Sequence, residues 1–377
     1  MKKLKIVIAP DSFKGSLGAK EVADAIEKGL LKAANGKVEL ETVKNPIADG
    51  GEGTLATMVE EKDISFVEVT GPQGAPVTAA LGFTEDVAVI EMAQAAGLTL
   101  VEPLLRVAKT ATTFGVGEMI KYALDKGLRR FLVTVGGSAT NDGGAGMLAA
   151  LGGVFCNKSG KSFVPMGATL CEIETIELSG LDSRLKGCDF TIATDVKNTL
   201  YGDKGATYVY GAQKGANEKD LADMEAGMKH YASLVETLGG KKVSDIEGCG
   251  AGGGVATPLL AFCRAQIVSG IEAVLDITNF YEHMKGADFV LTGEGKIDVQ
   301  SLYGKAISGV AKGAAREKIP VVCFVGCIGS DKDELKALGV SDVFATADIA
   351  PSAEYSMAHA DILLEELAKN WLSSFLS

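Results

Sequence analysis

The chain has 377 residues, of which 47% are apolar and 23% charged, and its formal net charge is −12. This length predicts two domains, and the apolar content excludes a largely disordered chain. The acidic balance argues against nucleic acid or an anionic membrane as a partner, because clustered Lys and Arg hold such partners. A small-molecule substrate is therefore favoured.

The amino terminus predicts a cytoplasmic protein. Only Ile6 to Ala9 are continuously apolar before Pro10 and Asp11, a run too short for a secretory signal. No later segment approaches the roughly 18 consecutive apolar residues that a membrane span needs. The cysteines lack paired C-x-x-C spacing, which is typical of reduced thiols.

Both ends of the chain alternate short aliphatic runs with amphipathic stretches. At the start, residues 5–9 and 38–43 read as strands around a helix at 19–33. At the end, we expect strands at 289–292, 321–325 and 342–345, and helices at 305–316, at 332–338 and from Ala353 onward. Strands that alternate with helices predict an α/β fold with a doubly wound, parallel sheet.

Between these ends the pattern changes, which predicts an inserted α/β domain at residues 63–285. Residues 1–62 and 286–377 then form the first domain. Glycine and proline punctuate β-prone runs between Ile64 and Thr84, as in a hairpin. Further on, we expect strands at 87–92 and 130–135, and helices at 116–126 and 218–238.

Two loops near the amino terminus combine glycine with polar side chains. After the first strand, Ser12 and Lys14 could hold a phosphate or carboxylate near a helix start, although a capped helix with a solvated lysine fits equally well. After the next strand, Asp49 and Glu52 stand among glycines. Carboxylate oxygens suit Mg²⁺ or a substrate hydroxyl, and a helix cap alone would not need both.

The most specific loop follows the strand at 131–135 and reads GGSATNDGGAG, residues 136–146. Its backbone amides and hydroxyls suit a polyphosphate, and Asp142 could hold magnesium. A lone match to G-x-G-x-x-A at Gly144 is weak evidence for a dinucleotide site, so we reject a nicotinamide cofactor. A P-loop is excluded, because Phe155 stands where its first glycine belongs.

Further polar groups follow later apolar runs. Asp195 closes one such run, and Lys214 lies between glycines at a plausible site edge. Glu294 and Asp298 follow the strand at 289–292, where doubly wound sheets place ligands, and Lys305 opens the next helix. The segment Gly250–Gly254 fits either a ligand loop or a tight helix entry without a ligand.

Together, these motifs resemble the bacterial type I glycerate kinases. The resemblance rests on PDSFKGS, DGGEGT, GGSATNDGGAGML, ATDVKN, GAQKGA, LTGEGKID and YGKA, which occur in the family's order over nearly the whole chain. It implies ATP-dependent phosphorylation of D-glycerate. It also implies a discontinuous Rossmann-like domain that is interrupted by a second α/β domain.

Phosphoryl transfer needs a phosphate cradle, a cation and a group that receives the hydroxyl proton. We expect the cradle at Gly136, Gly137, Ser138, Thr140 and Asn141, with Mg²⁺ on Asp49, Glu52 or Asp142. Glycerate should contact Ser12, Lys14, Asp49, Glu52, Glu294 and Lys305. Asp298 is the preferred base and Asp195 its competitor, while Lys14 stabilises the transferring phosphate or the glycerate carboxylate. The product is expected to be 2-phosphoglycerate rather than 3-phosphoglycerate. Another hydroxy-acid kinase or a non-catalytic sugar-acid sensor is the alternative.

Overall fold

A computed structural model describes residues 3–48, 53–84, 86–297, 306–329 and 332–377, without the side chains of 332–334. These residues form two compact α/β units. Unit 1 comprises Met1–Asp49 and Gly270–Ser377, and unit 2 comprises Gly50–Ser269. The predicted α/β class, with a discontinuous Rossmann-like parallel-sheet domain and an inserted second domain, is confirmed.

Strands and helices alternate along much of the chain. The strands are β1 (Lys3–Ile8), β2 (Glu39–Lys44), β3 (Ile64–Thr70), β4 (Pro76–Phe83), β5 (Val87–Glu91), β6 (Arg130–Thr134), β7 (Val154–Cys156), β8 (Ser162–Phe163), β9 (Thr175–Glu177), β10 (Asp189–Ala193), β11 (Arg264–Val268), β12 (Phe289–Thr292), β13 (Lys296–Ile297), β14 (Val321–Val325), β15 (Cys327–Ile328) and β16 (Val340–Ala345). The helices are α1 (Ala19–Ala34), α2 (Thr54–Met58), α3 (Ala93–Ala96), α4 (Phe114–Asp125), α5 (Ala145–Ala150), α6 (Ala206–Tyr210), α7 (Glu218–Gly239), α8 (Thr257–Phe262), α9 (Gly270–Ile277), α10 (Phe280–Met284), α11 (Ala306–Arg316), α12 (Lys332–Ala337), α13 (Ala353–Ala358) and α14 (Ala360–Phe375).

Unit 1 is built on a five-stranded parallel sheet in the order β16-β14-β12-β1-β2. In the interior strand β1, Val7 lies opposite Val290 of β12 and Val43 of β2. Ile6, Val7 and Ile8 are all completely buried. A parallel strand covered on both faces needs apolar residues at every position, which explains the continuous apolar run at the amino terminus.

One face of this sheet is covered by α1 and α14. Val22, Ile26 and Leu30 recur at helical spacing along α1 and are completely buried in the core that contains Leu291 of β12. The two helices approach closely at Gly29, where a Cβ atom would lie 2.2 Å from the Glu365 carbonyl oxygen. Glycine is therefore required at this crossing.

The carboxyl-terminal helix differs from the expected single helix that starts at Ala353. The chain leaves helical geometry at His359, with φ −128° and ψ 29°, so α13 and α14 are separate. The Tyr355 amide donates to Ser352 Oγ at 3.2 Å, and Ser356 Oγ hydrogen-bonds Thr346 Oγ1 at 2.8 Å. These contacts fix α13 independently of the helix that follows it.

Unit 2 contains a six-stranded sheet in the order β11-β10-β6-β5-β4-β3. β5, β6, β10 and β11 are parallel, while β3 and β4 form the antiparallel hairpin predicted between Ile64 and Thr84. Phe131 of β6 stacks on Phe190 of β10 in the core, with ring centroids 4.6 Å apart. β8, β7 and β9 form a small separate antiparallel sheet.

Both transitions between the units occur earlier along the chain than the expected boundaries after residues 62 and 285. In unit 2, the Leu55 amide of α2 donates to the buried Glu91 carboxylate at the end of β5, at 2.8 Å. In unit 1, α9 packs so closely on α11 that a Cβ atom on Gly309 would lie 2.4 Å from Ile271 Cγ1. These contacts tie α2 and α9 to their units. Along the described helices, none combines the length and apolar character needed to cross a membrane.

Candidate functional site

In unit 2, the loops after the parallel strands gather at one edge of the sheet. Thr134, the last residue of β6, pairs with the last residues of both neighbouring strands, Glu91 and Ala193. The segment that follows β6, residues 136–144, is the glycine-rich loop. It is fastened to the loop after β5, because the Leu98 amide donates to Gly137 O and the Ala139 amide to Ala96 O, both at 2.8 Å.

Asp142 organises the glycine-rich loop from within. Its side chain is completely buried, and its Oδ2 accepts hydrogen bonds from Thr113 N at 2.8 Å and Thr113 Oγ1 at 2.9 Å. The amides of Gly144 and Gly146 donate to the same carboxylate at 3.0 and 3.3 Å. Burial raises the pKa of this carboxyl, although the four hydrogen bonds oppose the shift. Because protein donors occupy both oxygens, this environment favours a structural role and fits a metal ion poorly.

Thr140 and Asn141 lie beside Asp142 and are also completely buried. Asn141 Nδ2 donates to Thr207 Oγ1 at 3.1 Å. Thr140 Oγ1 and Asn141 Oδ1 are buried without a hydrogen-bond partner among the described residues. A hydroxyl can donate to a phosphate oxygen, whereas an amide oxygen can only accept. Thr140 Oγ1 is therefore an unused donor whose chemistry suits a phosphate oxygen, and Asn141 Oδ1 suits a ligand donor or an ordered water.

A second glycine-rich segment, Gly250–Gly254, supports the first. The Gly143 amide donates to Gly253 O at 3.0 Å. Gly253 has φ +69°, and a Cβ atom there would lie 2.0 Å from the Thr140 carbonyl oxygen. Packing against the glycine-rich loop thus shapes this segment. This supports the interpretation of its glycines as a tight helix entry without a ligand.

Lys214 is the site feature that sequence reasoning underestimated. It ends a short 3₁₀ helix, Ala212–Lys214, and only 3% of its surface is exposed. Its ammonium donates to Ser138 Oγ at 2.8 Å and to the Thr140 carbonyl oxygen at 2.7 Å. The motif GAQKGA identified a lysine between glycines, but no pattern in the sequence indicates that this lysine is buried.

In unit 1, the equivalent edge carries three of the predicted substrate residues. The Asp11 amide donates to Gly293 O at 2.8 Å, which joins the loop after β1 to the loop after β12. The Lys14 backbone lies close to Gly295, where a Cβ atom would be 3.3 Å from Lys14 N. Ser12, Lys14 and Glu294 therefore share one edge of this sheet.

Lys14 itself is exposed, and its ammonium has no hydrogen-bond or ion-pair partner among the described residues. The helix that follows begins only at Ala19, and Ser16 Oγ donates to the Met357 carbonyl instead of capping α1. The loop is therefore fixed by its backbone while the lysine side chain reaches solvent. This geometry is compatible with both interpretations of Lys14, an anion ligand or a solvated side chain.

Four predicted site residues, Asp49, Glu52, Asp298 and Lys305, lie outside the described residues. The described residues next to Asp49 and Asp298 belong to unit 1: the Ile47 amide donates to Pro10 O at 2.9 Å, and Ile297 O accepts from Gly329 N at 2.7 Å. In the part of the chain that is described, no three His, Cys, Asp or Glu side chains are grouped to hold a metal ion.

Asp195, the competing candidate for the base, lies in the loop after β10 in unit 2 and is exposed. The nearby Val196 amide donates to Thr194 Oγ1 at 3.2 Å, which shapes the start of this loop. The loop leaves the same sheet edge as the glycine-rich loop, since β10 and β6 are adjacent and parallel. Asp195 is thus placed with the predicted nucleotide residues of unit 2.

Comparison with known proteins gives consistent matches along the whole chain. A family model described as the glycerate kinase family matches residues 6–376. The glycerate kinase of Bacillus subtilis (strain 168) is 42% identical over 98% of this chain and 97% of the relative. The glycerate 2-kinase of Escherichia coli (strain K12) is 42% identical over 91% of this chain and 90% of the relative.

The fold has a counterpart among solved structures. A crystal structure from Salmonella typhimurium LT2, assigned as a glycerate kinase 2, superimposes with a TM-score of 0.89 at 39% sequence identity. The match covers 99% of this chain and 98% of that chain. On these matches of sequence and fold, the chain belongs to the glycerate kinase family.

Proposed function

We propose that this kinase transfers the γ-phosphoryl group of ATP to D-glycerate and forms 2-phosphoglycerate. The observation that carries the proposal is the family match over residues 6–376. The preference for the 2-hydroxyl is supported by the Escherichia coli relative, which is named a glycerate 2-kinase. The glycine-rich loop adds a chemical reason, because its hydroxyls and buried lysine suit the polyphosphate of a nucleotide.

In the proposed reaction, the glycerate hydroxyl oxygen forms a bond to the γ-phosphorus while the bond to the β,γ-bridging oxygen breaks. ADP leaves, and the hydroxyl proton passes to a carboxylate. We assign the phosphates of ATP to residues 136–141, with Ser138 and Thr140 as side-chain donors. Lys14 is exposed and stabilises either the transferring phosphate or the glycerate carboxylate.

The magnesium ion is assigned to Asp49 and Glu52, since the Asp142 carboxylate already accepts hydrogen bonds from Thr113, Gly144 and Gly146. When bound, Mg²⁺ would neutralise negative charge on the polyphosphate. The carboxylates of Asp49 and Glu52 provide the hard oxygen ligands that this ion prefers.

The function is tested by ADP release, measured with ATP alone, with ATP and D-glycerate, and with EDTA added to both. We expect ADP release that requires both glycerate and magnesium. Equal release with and without glycerate would refute the kinase assignment. A panel of other small hydroxy acids tests the nearest alternative substrate class, and glycerate binding without turnover would indicate a sugar-acid sensor. Phosphorus NMR of the product distinguishes 2-phosphoglycerate from 3-phosphoglycerate.

The base is proposed to be Asp298, with Asp195 as the matched comparison. Asp298→Asn and Asp195→Asn each remove one negative charge and preserve side-chain size. General-base catalysis contributes about a hundredfold to ten-thousandfold, so Asp298→Asn should lower kcat within that range while ATP still binds. A severe effect of Asp195→Asn with a mild effect of Asp298→Asn reverses the assignment. If both variants keep more than about a tenth of normal turnover, neither carboxylate is the base.

A further inference from the structure

Lys214 is fixed in the interior of unit 2 by backbone geometry that a larger residue beside it would disrupt. The next residue, Gly215, has φ +93°, and a Cβ atom there would lie 2.1 Å from the Arg106 carbonyl oxygen. The side chain of Lys214 is directed to the glycine-rich loop, where Nζ contacts Ser138 Oγ and Thr140 O. It therefore joins the turn before α7 to the predicted phosphate-binding residues.

The surroundings of this ammonium are unusual for a lysine. Burial lowers the pKa of Lys214 to about 7, and the charge of Asp142 partly opposes this shift. Other ionisable groups on neighbouring elements have partners of their own. Tyr210 of α6 donates to Asn198 Oδ1, and Lys109 pairs with Asp220. The Arg106 guanidinium donates to the carbonyl oxygens of Leu98 and Val101. Tyr231 of α7 is buried and its pKa is raised by burial, so it stays neutral near pH 7. Asp142 is thus the described carboxylate that acts on Lys214.

The direction of the hydrogen bond to Ser138 has a chemical consequence. An ammonium has only donors, so Ser138 Oγ must accept from Lys214 Nζ at 2.8 Å. The hydroxyl hydrogen of Ser138 cannot point at the same ammonium, and no acceptor for it is found among the described residues. A neutral amine, in contrast, offers a lone pair that would take this hydrogen. The protonated lysine therefore leaves the Ser138 hydroxyl available to a ligand.

We propose that Lys214 is a positioning residue for nucleotide binding, which holds Ser138 as a hydrogen-bond donor to the phosphates and fixes the Thr140 carbonyl of the same loop. The inference rests on the proposed function, in which residues 136–141 bind the phosphates of ATP. It adds a link between lysine protonation and nucleotide affinity. Because an anion on the loop stabilises the ammonium, ATP binding and protonation of Lys214 must favour each other.

The first test compares Lys214→Met and Lys214→Arg with Lys219→Met, a control on the exposed start of α7. Loss of one charge-assisted hydrogen bond predicts a KM for ATP that is about tenfold to a hundredfold higher in Lys214→Met, with the KM for glycerate unchanged. In the wild type, kcat/KM for ATP should fall above about pH 7, because kcat/KM reports the free enzyme. This decrease in kcat/KM at high pH should be absent in Lys214→Met. In Lys214→Arg it should occur only at much higher pH, because the guanidinium stays charged. Ionisation of ATP itself affects all variants equally.

The second test measures the lysine in the wild type, without turnover, and adds the ATP affinity of Lys214→Met as a comparison. In protein labelled with ¹³C at lysine Cε, one resonance should titrate near pH 7 and move to higher pH on addition of ATP. Calorimetry with ATP at pH 6 and pH 9 measures the linked change in affinity. ATP affinity that is independent of pH, or a Lys214→Met variant with normal affinity, overturns the inference while the kinase function stands. Failure of the wild type to bind ATP at either pH overturns the proposed function, and with it this inference, even if the lysine titrates near pH 7.

Discussion

The burial of Lys214 predicts a dependence of stability on pH that can be measured without substrate. Folding lowers the pKa of this group from 10.5 to about 7. Below pH 7 the lysine is protonated in both the folded and the unfolded protein. The folded protein then bears the full free-energy cost of burying the charge. Between pH 7 and pH 10.5 the unfolded chain keeps a proton that the folded chain releases, so the contribution of Lys214 to stability rises with pH. Each pH unit well inside this window is worth about 1.4 kcal/mol. Because the folded lysine is half deprotonated at pH 7, the change between pH 7 and pH 9 is about 2 kcal/mol.

The assay is urea unfolding of the wild type and Lys214→Met at intervals between pH 6 and pH 9. Other titrating groups cancel in the difference between the two proteins. The single tryptophan, Trp371, lies in unit 1, so its fluorescence follows that unit alone, whereas far-UV circular dichroism follows both. The transition seen by circular dichroism but not by fluorescence then belongs to unit 2.

We expect the wild type to gain about 2 kcal/mol relative to Lys214→Met between pH 7 and pH 9. The wild-type difference from Lys219→Met, the exposed control, should stay constant across the same range. A constant difference from Lys214→Met would refute the reasoning, because it would mean that Lys214 keeps its proton in the folded protein up to pH 9.

Three further perturbations test separate parts of the structure. Lys14→Ala should lower turnover by about a hundredfold or more at an unchanged melting temperature, since the side chain is exposed; near-normal activity in a coupled assay would contradict a role for its charge. Ser138→Ala combined with Thr140→Ala should weaken ATP more than glycerate in calorimetry, and the opposite order would reassign the glycine-rich loop to the acid substrate. Gly253→Ala should destabilise unit 2 by at least about 3 kcal/mol in urea unfolding, because the new Cβ atom would lie 2.0 Å from Thr140 O. Gly240→Ala is its control, since Gly240 has φ +65° with open space around it; that change should cost only about 1 to 2 kcal/mol, and equal losses would refute the steric argument.

Much of the fold could be predicted because burial leaves a periodic pattern in the sequence. The interior strand β1 is apolar at consecutive positions since both of its faces are covered, and α1 repeats apolar residues at helical spacing. The break at His359 was not predictable in the same way. Apolar residues continue on both sides of it, and the side-chain contacts of Ser352 and Ser356 that fix α13 are not periodic.

The candidate site also has features that the sequence predicts and features that depend on tertiary contacts. Glycine with polar residues after a strand identified the loop at 136–146, because only a ligand loop or very close packing needs so little side-chain bulk. In the structure, close packing explains part of this glycine content, because Gly253 lies directly against the Thr140 carbonyl. It also shows Asp142 satisfied by backbone donors from Gly144 and Gly146. Which polar residues face inward depends on tertiary contacts, and a sequence does not reveal those for a lysine such as Lys214.

The position of β1 inside the unit 1 sheet, between β12 and β2, has a consequence for synthesis on the ribosome. Its partner β2 follows closely in the sequence, but its other partner, β12, begins only at Phe289. At about 5–20 residues per second, this partner arrives on the order of ten seconds or more later. Unit 2 is continuous in sequence and can complete its own core in the meantime. A nascent chain stopped before β12 should therefore carry a folded unit 2 behind an amino-terminal segment with an unpaired apolar strand edge, which is the kind of surface that chaperones bind.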